Sequence, residues 1–239
     1  MKTVPALFAA LTFLFVSQGA LADPEGVKKL LETRFPEIRV DKVTKSGFGD
    51  LYDVFGSSEI FYTDEKATFV VLGHILDAKS RENVTEARLR KLTAVRFDQL
   101  PLDLAFQTVR GTGARKIAVF ADPYCGYCKR FETDLLTLQD VTVYTFLYPI
   151  IRPESTPTSK KIWCSADRVK AWQDMMLRGV EPSGQGSCET PIDKVLAFGQ
   201  KLRINGTPTT IFEDGERLAG ALPKGTIEKK MDAATIARK

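Results

Sequence analysis

The chain has 239 residues, 44% of them hydrophobic and 27% charged, which excludes a disordered, collagenous or low-complexity fibre and leaves apolar surface for one large or two modest domains. A net charge of +4, from 34 basic and 30 acidic residues, is mild and spread along the chain, so no nucleic-acid partner is called for. The single histidine, His74, excludes HExxH zinc sites and histidine-rich metal cages, restricts any Ser-His-Asp or Cys-His centre to that one imidazole, and leaves four cysteines as the reactive inventory.

Residues 1–22 carry a three-part export signal. Met1 and Lys2 give a positive start, residues 4–16 are an apolar run broken by Pro5 and Thr12, and Ala20-Leu21-Ala22 places small residues where a signal peptidase reads. The run is shorter than the roughly twenty residues that span a bilayer. Cleavage after Ala22 is expected. The tail Ala237-Arg238-Lys239 is no ER-retention signal, so the expected destination is a bacterial periplasm, an oxidising compartment for the four cysteines.

The mature chain opens with a small unit, residues 23–82. Val27, Leu30, Leu31 and Phe35 recur at helical spacing and Pro36 stops the helix. Strand-like runs follow at 38–45, 51–55, 60–62 and 67–72, divided by Gly47, Gly49, Gly56 and the polar turn 63–66. About sixty residues bury little core alone, so the unit is expected to lean on a partner. The last of these strands reads as an edge with unpaired backbone groups, which a second copy can extend. Phe69, Val70, Val71, Leu72 and Gly73 are therefore the expected homodimer contact. Asn83, with Glu86 three residues on, opens a capping box for a helix expected over 83–100, a semi-rigid link between domains; Asn83-Val84-Thr85 also matches a glycosylation sequon, for which the cap is the better reading in an exported bacterial chain.

The pattern changes in residues 101–239. A continuous apolar strand at 117–120 runs into a cysteine-bearing turn and a helix marked by Phe131, Leu135 and Leu136. A strand at 141–147, a helical stretch over 162–177 and a helix capped by Thr190 with Pro191 at its first position follow. Two strands, 209–212 and 217–219, flank the hairpin signal Asp214-Gly215, and a helix covers 224–237. The order β-α-β, helical insertion, α-β-β-α is a thioredoxin-like plan with an inserted helical segment. The fold class is α+β: this catalytic domain plus the small N-terminal α+β domain, joined by the linker helix.

The chemistry lies at Cys125-Gly126-Tyr127-Cys128. Two cysteines at this spacing, after a buried strand and at the start of a helix, form a dithiol suited to reversible disulfide exchange. The first sits at the helix N-terminus, where unpaired N–H groups and the macrodipole favour a thiolate without a histidine base. Cys128, one turn on, is the resolving thiol, less exposed and able to attack a mixed disulfide on Cys125. A four-thiolate zinc site with Cys164 and Cys188 lacks the second close pair of a zinc ribbon, a c-type haem site would need histidine where Lys129 stands, and a purely structural Cys125–Cys128 bridge closes too small a ring to stabilise much. Cys164 and Cys188 lie in the inserted segment with Pro182, Gly184 and Gly186 between them. They read as a structural disulfide worth about 3.5 kcal/mol in the chain-entropy account, with a second redox pair as the alternative. In Gly206-Thr207-Pro208-Thr209, Pro208 occupies the place where the thioredoxin-like order puts a cis proline facing the dithiol, with Thr207 offering its backbone to a bound client strand.

These residues resemble the periplasmic disulfide isomerases of the DsbC/DsbG type across essentially the whole mature chain. The resemblance is carried by the small N-terminal domain, the linker, Cys125-Gly126-Tyr127-Cys128, Ile162-Trp163-Cys164 with Cys188, and Gly206-Thr207-Pro208; the Gly-Tyr dipeptide is similar to DsbC, whereas DsbG carries Pro-Tyr. It implies a V-shaped homodimer joined through the N-terminal domains, with two dithiols facing a shared cleft. It also implies a client set of misfolded disulfide-containing exported proteins, met at Gly126, Tyr127, Thr207 and Pro208, and a membrane reductant of the DsbD type; no metal or cofactor is expected. The N-terminal domain matches in layout more than in residues. Two other functions compete: a DsbA-like dithiol oxidant, which needs neither N-terminal domain nor linker, and a periplasmic holdase chaperone with incidental cysteines.

Overall fold

The computed structural model describes residues 23–237, so the export signal lies outside the described residues. The chain divides into two compact units, one up to Gly73 and one from His74.

In the first unit, helix α1 (Pro24–Arg34) starts at Asp23, whose carboxylate accepts from the Gly26 N–H. It buries Val27 and Leu31 against a meander of four antiparallel strands in sequential order: β1 (Lys42–Lys45), β2 (Tyr52–Gly56), β3 (Glu59–Thr63) and β4 (Val70–Leu72). The expected strand over 38–45 forms only from Lys42. The strand expected from 67 starts at Val70, because Ala67 is left-handed (φ 49°) and the Asp64 carboxylate holds the Thr68 N–H and hydroxyl in a turn.

The second unit begins with α2 (Val84–Thr93), its N-terminus capped by Asn83, which accepts from the Glu86 N–H at 3.0 Å. The helix expected to reach 100 stops at Thr93. Val95 gives its N–H to the Gly215 carbonyl, and Phe97 and Leu100 turn inward to be buried, so tertiary bonding and burial override helical continuation. Five strands then make a mixed sheet in the order β5-β7-β6-β8-β9: β5 (Phe106–Arg110), β6 (Arg115–Ala121), β7 (Val141–Leu147), β8 (Thr209–Phe212) and β9 (Arg217–Ala219). β6 and β7 are parallel, so both end at the same edge of the sheet, and β8 begins there because it runs antiparallel to β6. Sequence patterning missed β5, a half-buried edge strand paired antiparallel to β7.

β6 is buried on both faces, and its period-two alternation sorts its side chains into two cores. Ile117, Val119 and Ala121 pack with Phe131 and Leu135 of α3 (Gly126–Leu135) and with Ile227 of α7 (Lys224–Ala237). Ala118 and Phe120 pack with Phe146, Tyr148 and Val195 of α6 (Ile192–Lys201). Each large side chain removed from water contributes roughly 1.5–3 kcal/mol, which fixes α3 against the end of β6.

The insertion is two helices where one stretch was expected. α4 (Ser155–Cys164) begins earlier than its apolar residues suggest. A break at Ser165–Asp167 follows, and Asp167 caps α5 (Arg168–Gln173) by accepting from the Lys170 N–H. A π turn, Asp174–Arg178, closes on left-handed Gly179. α6 starts at Ile192 with Pro191 as its N-cap and no side-chain cap bond, one residue later than Thr190-Pro191 implied.

Candidate active site

The dithiol is placed by the end of β6. After Ala121 the chain turns through Asp122, Pro123 and Tyr124 and delivers Cys125 as the N-cap of α3, with φ −76° and ψ 114°. Its sulfur therefore stands where the helix presents unpaired amides, and it accepts from the Cys128 N–H at 3.2 Å. From the facing loop the Thr207 carbonyl lies 3.2 Å away and accepts from the Cys125 thiol, and the Thr207–Pro208 peptide is cis. The Thr207 hydroxyl is buried, and the Thr207 side chain draws both thiol pKa values down.

The two thiols are driven apart in acidity. Cys125 is pulled down to about 6, chiefly by its hydrogen bond with the Cys128 side chain and then, against the opposing effect of burial, by Thr207 and the amides of Cys128 and Tyr127. Cys128 is pushed strongly up, first by burial and then by the hydrogen bond and negative charge of Cys125. One thiol thus ionises at neutral pH while its neighbour holds its proton. Both residues are buried, at 4% and 2% exposure, whereas Tyr127 between them is 64% exposed.

The expected residues Cys125, Cys128, Thr207 and Pro208 come together, with Gly126 and Tyr127 exposed at the mouth. Cys164 and Cys188 are joined to each other by a disulfide with Cα atoms 5.7 Å apart, so they do not gather with the dithiol into a four-thiolate cluster. In the N-terminal unit, β4 is an edge strand on which Val71 and Leu72 are exposed, Leu72 to 78%, and Phe69 just before it is exposed too.

Sequence reasoning missed Asp122. This fully buried carboxylate accepts from the N–H of Tyr124 (2.8 Å), Ile150 (2.7 Å) and Ile151 (2.9 Å) and from the Ser155 hydroxyl (2.9 Å). It ties the cysteine turn to the segment after β7 and to the start of α4, while its own carbonyl accepts from the Cys125 N–H. The available signal was an Asp-Pro pair directly upstream of the dithiol, since such pairs organise turns. Tyr124 was missed too: its hydroxyl lies 3.0 Å from the Thr158 hydroxyl and donates to Glu181 at 2.9 Å.

Comparison with known proteins gives matches along the chain. A family profile described as a thioredoxin-like domain matches residues 102–235, and one described as the disulfide bond isomerase protein N-terminal domain matches residues 18–86. The chain is similar to the probable thiol:disulfide interchange protein DsbC of Bordetella pertussis, 43% identical over 87% of this chain and 75% of the relative. It is also similar to the thiol:disulfide interchange protein DsbC of Escherichia coli K12, at 24% over 94% of each. Among solved structures, a disulfide interchange protein from Neisseria gonorrhoeae superposes with a TM-score of 0.54 and 38% identity, covering 56% of this chain and 98% of its own.

Proposed function

The chain belongs to the DsbC family of thiol:disulfide interchange proteins, and we propose that within that chemistry it works as a periplasmic disulfide isomerase, reducing as well as rearranging wrong disulfides in exported proteins. The Cys125 thiolate attacks one sulfur of a client disulfide, the client S–S bond breaks, and a Cys125–client mixed disulfide forms as the other client sulfur leaves as a thiolate. If that thiolate attacks elsewhere in the client and Cys125 is finally expelled, the client is rearranged with no net electron transfer. If Cys128 gives up its proton and attacks Cys125 instead, the client leaves reduced and Cys125–Cys128 leaves oxidised, needing a dithiol donor such as a membrane reductant of the DsbD type.

The observation that carries isomerase over simple oxidant is the N-terminal unit, matched to an isomerase N-terminal domain and ending in an apolar edge strand. Two copies pairing through Phe69, Val70, Val71, Leu72 and Gly73 would hold a client between two thiolates, with residues 23–82 as the dimerisation domain, α2 (Val84–Thr93) as the linker and the catalytic domain after it. Gly73 adopts φ +153°, so a side chain there strains the backbone as well as the contact. Leu72→Arg is the cleaner variant.

Refolding of a scrambled disulfide protein in a glutathione buffer, beside sedimentation and insulin reduction, tests the reading. Wild type should sediment as a dimer and refold the client. Leu72→Arg should sediment as a monomer that keeps insulin reduction and loses most isomerase activity, and Cys125→Ser should lose both. A wild type that oxidises reduced clients yet leaves scrambled ones unrepaired would identify a DsbA-like oxidant, and refolding aid to a cysteine-free client alone would identify a holdase.

A further inference from the structure

Two tyrosines bracket the nucleophile, and each carries a guanidinium on its ring. The Arg152 guanidinium lies 3.4 Å from the centroid of Tyr124, the residue before Cys125, and that of Arg130 lies 5.5 Å from Tyr127, two residues after it. The Tyr124–Arg152 pair is anchored from both sides, whereas Tyr127 and Arg130 form an exposed pair along one helix face. Tyr124 is held at its hydroxyl by Thr158 and Glu181. Arg152 is held at its backbone N–H by the Ser155 hydroxyl at 3.3 Å, which in turn donates to Asp122. The Asp122 carboxylate fixes Ile150 and Ile151 just ahead of it. Arg130 is set by α3, three residues beyond Tyr127 on the same face.

We propose that this rim makes the dithiol selective for client disulfides whose reacting cysteine is flanked by acidic residues, with Arg152 and Arg130 receiving the carboxylates. The proposal rests on the reading that Cys125 attacks the client. Guanidinium groups stacked on aromatic faces keep their N–H edges free for bidentate carboxylate bonds. Arg152 does have an acidic neighbour, Glu154 at 3.5 Å, but their side chains are 49% and 62% exposed. Such a surface pair is weakly bound and exchangeable for a client carboxylate. Glu181 accepts from the Tyr124 hydroxyl at one oxygen, and its remaining charge offsets part of the attraction that Arg152 exerts. The N-terminus of α3 adds a positive dipole end at the same place. At a separation of about 6 Å through water, one charge pair changes a rate or an affinity about threefold, so an acidic flank should outpace a basic one about tenfold for each arginine engaged.

The test is the rate at which the reduced protein cleaves a series of otherwise identical self-quenched peptide disulfides whose cysteine is flanked by Asp, Ser or Lys, at low and at high salt. The acidic peptide should react fastest, and its lead over the basic one should shrink as salt screens the charges. Arg152→Gln and Arg130→Gln should each cut the acidic-to-basic ratio severalfold; taking the ratio within one variant cancels any change in Cys125 reactivity. Equal rates for the three peptides with wild type, or a lead for the basic one, would overturn the selectivity while leaving the exchange function standing. An acidic lead that survives both substitutions would overturn its assignment to these arginines. Failure to cleave any peptide would remove the exchange reading itself, and this inference with it.

Discussion

The lowered Cys125 pKa predicts a particular pH–rate curve, because two effects of acidity oppose each other. With the thiol at about 6, roughly 90% is thiolate at pH 7, against about 3% for an ordinary cysteine at about 8.5, a gain of about thirtyfold. A more acidic thiolate is also a weaker nucleophile. With a Brønsted slope of about 0.45, the 2.5-unit difference costs about thirteenfold. The net advantage in attack is about twelvefold at pH 6, about twofold at pH 7, and has become a deficit of about threefold by pH 8. Cys125 should therefore be half-reactive near pH 6 and flat from pH 7 upward. Cys128→Ala removes the strongest cause of the shift but leaves the backbone amides, so its midpoint should move up without reaching the ordinary thiol value. Iodoacetamide labelling of the reduced protein across pH, with mass-spectrometric assignment of the labelled cysteine, reads both curves. A wild-type rate still climbing between pH 8 and 9 would refute the account of activation by amides and the neighbouring thiol.

Asp122→Ala leaves four donors without their acceptor; at about 1–3 kcal/mol for each one that water cannot reach, a loss of roughly 3–5 kcal/mol in urea unfolding is expected, and an unchanged midpoint would count against its role as the anchor of the site. Replacing Cys164 and Cys188 together with alanine should cost about 3.5 kcal/mol for a loop of this length and leave insulin reduction intact at moderate temperature; full stability with lost turnover would mark a second redox pair. Glu132 is buried against Trp172, which donates to it at 3.0 Å, and burial raises its pKa despite that bond and the charge of Arg110. A carboxyl whose folded pKa lies above its unfolded value contributes stability below the unfolded value and loses it as pH rises through the folded one. Glu132→Gln should thus gain stability over wild type at neutral pH and not in acid, a difference that urea unfolding at two pH values would reveal or exclude.

The sequence made the elements of the catalytic unit legible where apolar spacing and punctuation agreed. The hairpin around Asp214-Gly215 and the last helix stand where they were expected. Cys125 caps its helix as its position after a buried strand implied. The misreadings share a cause. The helix through 83–100 ends early because Val95 is claimed by Gly215 in the hairpin, more than a hundred residues away. β5 exists because β7 offers it a pairing edge, not because Phe106–Arg110 alternates strongly. Asp122 was missed because its four partners span residues 124–155, and no local pattern records that convergence. Chemistry written into spacing or into the order of elements could be read, as with the dithiol and the Thr207–Pro208 loop that faces it; the four-way convergence on Asp122 could not.

The same convergence explains how the site functions without a histidine. The only imidazole in the chain is His74, which lies 3.3 Å from the Asn83 amide and takes no part in the dithiol. In its place Cys125 has helix amides, Thr207 and the proton of Cys128. Because the dithiol titrates as a pair, the proton that Cys128 retains is also the hydrogen-bond donor that steadies the Cys125 thiolate. When a client takes Cys125 into a mixed disulfide, the charge that helped hold that proton on Cys128 is gone, so Cys128 becomes easier to ionise when a resolving thiolate is needed. Burial still opposes that ionisation, which gives the released client thiolate time to attack elsewhere before Cys128 intervenes. The depth of the resolving thiol thus sets how long a mixed disulfide on Cys125 persists before it is resolved. Substitutions that lower the Cys128 pKa should move the balance toward reductase activity without changing how fast Cys125 first attacks.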